Sequence, residues 1–310
     1  MARNGAKRGR WSIRLRVSRK PLMLYPDRFS QETTMEDELL ETHLAAIAED
    51  GFTILENVFD AARAESYTKR IREIESEFLL PLGPDEKEED SSFFRTTGLL
   101  SLDEMFWDVP IDPAVCKVVE GVLDADFLLS TFSGIDLKPG CETIQPLHPD
   151  DALVPMPRPH PLPIGCTAMW AVTPFNTHTG GTRLLPGSHR EPLELLSSQD
   201  ETRLSQTIQP DLEPGSVLLF DHALFHGASD NRSKDWRLGL QVSYHAGWIR
   251  PYQNWFRSIP IEEVRKFPER LRDLLGYKAF RGIGRANTTK GSYRESYGNL
   301  FTREMRLSLD

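Results

Sequence analysis

Residues 145–150 read Gln145-Pro146-Leu147-His148-Pro149-Asp150 and place a histidine and a carboxylate two positions apart. In an extended strand, side chains at i and i+2 lie on the same face. His148 and Asp150 can therefore direct a nitrogen and an oxygen at one point. A second histidine from a distant strand would complete the two-histidine, one-carboxylate ligand set of non-haem Fe(II) sites. By itself the pair also fits a loop histidine beside a turn aspartate, because short motifs often match by chance.

The half of the chain around this stretch has a β pattern. Apolar runs separated by Gly and Pro cover residues 127–137, 141–148, 164–173, 181–185, 216–220 and 237–246. Several short strands at such spacing predict a sandwich or barrel. No strand–helix alternation occurs here, which disfavours a doubly wound sheet. We therefore predict a mostly β, α+β fold with helical additions and a core over about residues 125–250.

Helical patterns flank this core. The first helix, over 34–51, carries Leu40, Leu44 and Ile47 on one face, and the second carries Tyr67, Ile71, Ile74 and Phe78. Residues 52–55 between them predict a short strand. Asp112-Pro113 predicts the start of a third helix, since Asp is a good N-cap and Pro fits the first helical position. Residues 260–275 predict a helix that is interrupted near Pro268.

Composition narrows the class of protein. The chain has 310 residues, of which 39% are hydrophobic, and no apolar run is long enough to span a membrane. We expect a single domain over 34–310, because no internal repeat is visible. The three cysteines are far apart, which favours a reducing compartment, and we expect a cytoplasmic location.

Charge is distributed unevenly along the chain. The net charge is -9, although the first 20 residues hold eight basic residues and no acidic one. We interpret residues 1–33 as a basic, disordered arm, on composition. The remainder is strongly acidic, which argues against nucleic acid as a partner. The run at 85–90, Asp-Glu-Lys-Glu-Glu-Asp, is typical of a solvated surface.

A third metal ligand must come from a strand distant in sequence. The candidates are His160, His178, His189, His222, His226 and His245. The predicted strand over 215–220 leads directly to His222 and His226. Strand parity does not separate these two residues, because they are four positions apart.

Three ordered motifs carry a family resemblance. They are Gln145-x-x-His148-x-Asp150, then Trp170 followed by Gly180-Gly181-Thr182 and Pro186-Gly187-Ser188-His189, and then His226-Gly227-Ala228-Ser229 with Arg237 eleven residues after His226. In these motifs the chain resembles the phytanoyl-CoA dioxygenase family of Fe(II)/2-oxoglutarate oxygenases, over most of residues 50–260. The segment over 248–256 is more similar to members that act on secondary metabolites than to the acyl-CoA hydroxylase.

The resemblance implies a double-stranded β-helix, a jelly-roll-like core. It implies Fe(II), 2-oxoglutarate and O₂ as cofactor and co-substrates, with His148, Asp150 and His226 as the metal ligands. It makes His222 a neighbour of the ligands, and Arg237 the partner of the far carboxylate of 2-oxoglutarate. The resemblance also implies that Gln145, Thr182, Arg95 and Trp170 lie near 2-oxoglutarate.

The expected activity is hydroxylation, or a related oxidation, of a C–H bond in a small and largely apolar metabolite, with release of succinate and CO₂. Related halogenases have a small residue where Asp150 stands, so hydroxylation is the better expectation. The candidate substrate contacts are Arg158, Trp248, Arg250 and Trp255. The alternatives are an acyl-CoA hydroxylase or a cupin-like metal enzyme that does not use 2-oxoglutarate. The sequence leaves monomer and homodimer open.

Overall fold

The computed structural model describes residues 35–78, 93–142, 144–192, 201–280 and 283–284. The strands are β1 (Phe52–Leu55), β2 (Phe93–Thr97), β3 (Leu128–Leu137), β4 (Gly165–Ala171), β5 (Thr182–Leu184), β6 (Val217–Asp221), β7 (His226–Ala228) and β8 (Arg237–His245). The helices are α1 (Met35–Asp50), α2 (Ala61–Phe78), α3 (Leu99–Leu102), α4 (Pro113–Leu123), α5 (Glu201–Leu204), α6 (Trp255–Ser258), α7 (Ile261–Val264) and α8 (Glu269–Arg272). Within these ranges, no helix has the length and apolar character that crossing a bilayer requires.

The strands form two antiparallel sheets. The larger sheet has the order β1-β6-β4-β8-β3-β2, and β5 pairs with β7 in the smaller one. Single bridges extend the smaller sheet on both sides, at His148 beside His226 and at Ile208 beside Leu184. The predicted α+β class and jelly-roll-like sandwich are therefore confirmed, with a larger sheet that stays open.

Strand β8 separates two cores. Its outward side chains, which pack with the helices, are Leu238, Leu240, Val242 and Tyr244. The side chains between them point into the sandwich and include Arg237, Gln241, Ser243 and His245. This alternation follows from the strand period of two, and it lines the space between the sheets with polar groups.

The predicted helix starts are found at capping residues. Asp60 Oδ1 accepts a hydrogen bond from Arg63 N at 2.8 Å at the start of α2. Asp112 Oδ1 caps α4 by accepting from the backbone N of Ala114 and of Val115. Each bond satisfies an N–H that lacks a partner within the helix. In the predicted apolar face of α2, Tyr67, Ile71 and Ile74 are buried; the side chain of Phe78 lies outside the described residues.

Three element predictions need correction. Residues 141–148 do not form a strand and make only isolated bridges at Cys141 and His148, because prolines 146 and 149 lack the N–H that a ladder needs. The sequence missed β2 and the three-residue β7. The predicted helix over 260–275 is divided into α7, α8 and a π turn at Asp273–Tyr277, with Pro268 immediately before α8.

The predicted basic arm over 1–33 and the acidic run at 85–90 lie outside the described residues. The prediction of one domain over 34–310 therefore stays a prediction.

Candidate functional site

The backbone brings His148 and His226 side by side. His148 N donates to His226 O at 2.9 Å, and His226 N donates to His148 O at 3.0 Å. Asp150 follows Pro149, which is extended, and begins a short 3₁₀ turn. One ligand atom from each of His148, Asp150 and His226 lies within 4.8 Å of the other two. Among the described residues, these side chains thus form a group that could hold a metal ion.

Backbone carbonyls set the tautomer of both histidines. His148 Nδ1 lies 3.0 Å from Pro146 O, and His226 Nδ1 lies 2.9 Å from Leu224 O. A carbonyl only accepts, so the hydrogen is assigned to Nδ1 and the Nε2 lone pair is left for a metal. Burial lowers the pKa of His226, although Asp150 opposes the shift, and this favours the neutral imidazole that a metal binds.

Asp150 is held at both its side chain and its backbone. Thr167 Oγ1 donates to Asp150 Oδ2 at 2.8 Å, and Tyr252 Oη donates to Asp150 O at 2.8 Å. Burial acts to raise the pKa of Asp150, but the neighbouring histidines His226 and His222 and the Thr167 hydrogen bond hold it below its usual value. The carboxylate is thus ionised at neutral pH, with Oδ1 directed toward His226 Nε2 at 3.7 Å.

A polar chain extends behind Asp150. Thr167 Oγ1 lies 3.4 Å from Ser243 Oγ, which in turn lies 2.9 Å from His222 Nε2. His222 is fully buried, and burial lowers its pKa to about 4. A Cβ at Gly165 would overlap the His222 ring, so glycine there makes room for it. The expectation that His222 neighbours the ligands agrees with this arrangement.

Thr167→Val is expected to weaken divalent metal binding by about 10- to 100-fold, because outer partners of metal ligands typically contribute that much. Valine keeps the shape of threonine but cannot donate to Asp150 Oδ2. Titration of the apo-protein with Fe(II) under anaerobic conditions measures the effect. Thr167→Ser, which retains the hydroxyl, is the control and should bind nearly as the wild type does. Equal binding by Thr167→Val and Thr167→Ser would rule out this role of the hydroxyl.

Arg237 is a buried cation inside the sandwich. Its guanidinium carbon lies 4.4 Å from the centre of the Phe175 ring, and Nε has no hydrogen-bond partner. Burial alone lowers the Arg237 pKa to about 10, so the side chain stays charged at neutral pH. A Cβ on Gly239 would lie 2.7 Å from the Phe175 ring and 3.1 Å from Met169 Sδ, so glycine makes room for the ring that Arg237 contacts.

Two of the other predicted co-substrate residues also face the sandwich. Thr182 is buried on β5 and lies on the same face as Leu184, which packs between the sheets. Arg95 donates to Ser133 Oγ at 3.0 Å and to Gln241 Oε1 at 2.8 Å. Burial lowers the pKa of Arg95, and the charge of Asp150 opposes this shift. Both residues are therefore placed where a molecule between the sheets could meet them.

Gln145 has a different contact. Its backbone N donates to Ala228 O, and its side-chain Oε1 accepts from Ala228 N at 3.0 Å. The amide thus continues the smaller sheet beyond His148, and its role toward 2-oxoglutarate stays a prediction.

Trp170 was placed wrongly by the sequence. It lies on the outer face of β4 in the helix-covered core, with its ring 5.2 Å from that of Phe59. The strand period puts Thr167 on the inner face and therefore Trp170 on the opposite face.

Arg158 lies in a buried ion pair. Its Nε pairs with Asp151 and its Nη1 has no hydrogen-bond partner, so its proposed substrate contact stays a prediction. Trp248 and Arg250 are exposed in the loop after β8, and their proposed substrate contacts stay predictions.

A cavity of about 480 Å³ lies beside β2. Its apolar wall includes Ile74, Leu100, Trp255 and Ile259, and Arg95 lines it as well. Since Arg95 also contacts Gln241 on the inner face of β8, it lies between the cavity and the interior of the sandwich. The predicted substrate residue Trp255 is thus part of a cavity wall.

Sequence reasoning missed Thr167, Ser243, Tyr252 and Phe175 as parts of the site. Thr167 and Ser243 are polar residues at alternate positions in apolar strands, and this signal could have marked them as inward-facing. The contact of Tyr252 with Asp150 depends on how the loop after β8 returns, which local pattern does not encode.

Two sheets around a two-histidine, one-carboxylate group define a class of metal-binding protein, and the family that the sequence matches belongs to this class. Residues 47–239 match the family described as Phytanoyl-CoA dioxygenase (PhyH). The match covers more than half of the chain, which therefore belongs to the phytanoyl-CoA dioxygenase family.

Similar curated proteins include fungal dioxygenases. Dioxygenase andF of Emericella variicolor is 28% identical over 191 residues, which are 60% of this chain and 63% of that protein. Dioxygenase af480 of Aspergillus fumigatus is 24% identical over 254 residues, which are 79% of this chain and 78% of that protein. The chain thus spans less than two thirds of andF.

Similar solved structures support the fold. The non-heme alpha ketoglutarate dependent epimerase SnoN from nogalamycin biosynthesis has a TM-score of 0.56 at 16% identity, covering 67% of this chain and 81% of that chain. HygX from Streptomyces hygroscopicus, solved with nickel and 2-oxoglutarate bound, has a TM-score of 0.56 at 16% identity, covering 68% and 89%.

Proposed function

We propose that the protein is a non-haem oxygenase that depends on Fe(II) and 2-oxoglutarate. The observation that carries the proposal is the convergence of His148, Asp150 and His226 in a sandwich that also buries Arg237. Two neutral imidazoles and one carboxylate are the donor set that Fe(II) oxygenases use, and they leave coordination positions open. Membership of the phytanoyl-CoA dioxygenase family supports the same activity.

Arg237 fits the second anionic end of 2-oxoglutarate. Its planar guanidinium can donate two parallel hydrogen bonds to a carboxylate. In the described part of the chain no carboxylate forms an ion pair with it, and burial of an unpaired charge is costly. A dicarboxylate that reaches Arg237 from the metal centre would remove this cost, and Thr182 and Arg95 would supply further hydrogen bonds.

With O₂ as the oxidant, iron bound at this centre would supply the oxidative decarboxylation of 2-oxoglutarate, to succinate and CO₂, and the oxidation of a substrate C–H bond. The chain itself orients the reactants and excludes water. Thr167 and Tyr252 fix Asp150. Phe220, with its ring 4.4 Å from that of His226, gives the centre an apolar wall.

The proposed substrate is a small and largely apolar metabolite, and the proposed outcome is hydroxylation. The apolar lining of the cavity beside β2 supports this choice. A fatty acyl thioester and a cupin-like reaction without 2-oxoglutarate are the alternatives. We also propose a cytoplasmic location, supported by the wide spacing of the three cysteines in the sequence.

Anaerobic absorbance spectroscopy tests the cofactor assignment. Purified apo-protein is titrated with Fe(II) and then with 2-oxoglutarate. Chelation of 2-oxoglutarate by bound iron is expected to produce a weak visible charge-transfer band that shifts when a substrate binds. Iron binding without such a band would favour the cupin-like alternative. If the band forms, acyl thioesters and apolar metabolites can be compared by the shift that each causes.

A further inference from the structure

Arg158 joins two segments of the chain that are distant in sequence. Its side chain is only 3% exposed, and Nε lies 3.1 Å from Asp151 Oδ2. From the same guanidinium, Nη2 donates to the carbonyl oxygen of Ala223. The guanidinium carbon also lies 5.7 Å from the centre of the Phe225 ring.

Each of these partners lies within three residues of a candidate metal ligand in the sequence. Asp151 follows Asp150 directly, and its backbone N donates to His222 O at 3.1 Å. Ala223 lies in the turn between β6 and β7, three residues before His226. The next residue, Leu224, provides the carbonyl that accepts from His226 Nδ1. Arg158 therefore connects the segment that carries Asp150 with the segment that carries His226.

The connection is reinforced around Asp151. His160 Nε2 lies 2.6 Å from Asp151 Oδ2, and His160 Nδ1 lies 3.1 Å from Pro157 O. Asp221 Oδ1 accepts from Ala223 N at 2.7 Å and shapes the turn whose carbonyl Arg158 binds. A buried, paired cation with several partners has one strongly preferred position, so it restricts the relative motion of both segments.

We propose that Arg158 is a positioning residue that holds Asp150 and His226 at the separation that a metal ion requires. This role rests on the proposed metal centre. Arg158 acts through Asp151 and through the Ala223 carbonyl, and it is not itself one of the candidate ligands. Outer contacts that orient metal ligands typically change metal affinity by about 10- to 100-fold when they are removed.

The direction of the effect separates positioning from simple electrostatics. Arg158 carries a positive charge, and a positive charge repels a divalent cation. If charge alone mattered, removing Arg158 would strengthen metal binding. If Arg158 positions the ligands, its removal weakens binding in spite of the lost repulsion.

The test is titration of apo-protein with Co(II) alone, followed by visible absorbance, in wild type and in Arg158→Met. Arg72→Met is the matched control, because Arg72 pairs with the fully buried Asp136, and its contacts with Glu75, Asp136 and Trp236 involve no candidate ligand. We expect Arg158→Met to weaken Co(II) binding by about 10- to 100-fold and to change the bound-metal spectrum. Arg72→Met should lower the melting temperature and leave Co(II) affinity unchanged. Unchanged or tighter binding by Arg158→Met overturns the proposal.

Arg158→Lys keeps the test decisive if the methionine variant does not fold. Lysine retains the charge beside Asp151, but it lacks the second terminal nitrogen with which the guanidinium also donates to the Ala223 carbonyl. We expect weaker Co(II) binding than in wild type, and wild-type binding would overturn the positioning role. Failure of the wild type itself to bind Co(II) would instead overturn the metal centre on which the proposed function rests, so the two failures are distinguishable.

Discussion

Replacing His226 by alanine is expected to reduce 2-oxoglutarate-dependent turnover to background. His226 would supply one of the three protein ligands of the candidate group, and its backbone is paired with that of His148. The remaining histidine and carboxylate would leave a loosely held metal ion. Succinate formation and the affinity for Fe(II) of the apo-protein measure the loss, and Asp150→Ala should give the same result.

His222→Ala is the informative comparison, because His222 lies four residues away and is also buried. Its ring contacts Ser243 Oγ through Nε2, so its loss should weaken metal binding without abolishing it. If His222→Ala were inactive and His226→Ala active, the assignment of the distal ligand would be wrong.

Arg237→Met is expected to raise the concentration of 2-oxoglutarate needed for half-maximal activity by roughly 10- to 150-fold. This range follows from the roughly 1.5–3 kcal/mol that a hydrogen bond to a charged group contributes. Binding of 2-oxoglutarate, followed by the visible band at fixed Fe(II), should weaken by a similar factor. The affinity for Fe(II) alone should not change, because Arg237 is not among the candidate ligands.

The melting temperature of the apo-protein provides a second test of Arg237→Met, because it should not fall although 2-oxoglutarate binding weakens. Methionine replaces a buried cation that lacks a counter-charge among the described residues, so the melting temperature should stay the same or rise. The increase in melting temperature that 2-oxoglutarate gives the wild type should disappear. Arg232→Met, which removes an exposed arginine paired with Asp230, is the control and should affect neither measurement. An unchanged 2-oxoglutarate requirement in Arg237→Met would remove Arg237 from the co-substrate site.

Local pattern was enough for much of the fold but for less of the site. The β pattern from residue 127 and the capping residues Asp60 and Asp112 predicted the sandwich and two helix starts, because they depend on short-range geometry. Strand parity predicted that His148 and Asp150 share a face, but it did not distinguish between His222 and His226 as the third ligand. That choice needed the family resemblance, and it remains a prediction that the geometry of the group supports.

The misplacement of Trp170 and the unpredicted contacts of Arg158 have different physical causes. Trp170 was assigned to the site although it lies three positions after Thr167 in β4, and the strand period places two such side chains on opposite faces. Arg158 lies in a proline-rich loop, and its partner Ala223 is 65 residues away in the chain. Long-range contacts of this kind depend on how the sheets pack, which periodicity does not report.

The reciprocal backbone bonds between His148 and His226 also have a kinetic consequence. They join positions far apart in the chain, so the binding group is assembled only after the intervening strands have paired and the loop-closure entropy has been lost. A metal ion therefore has little to bind in the folding transition state. Its stabilisation should be expressed almost entirely as slower unfolding, so loading with metal would lengthen the lifetime of the native protein without accelerating its folding.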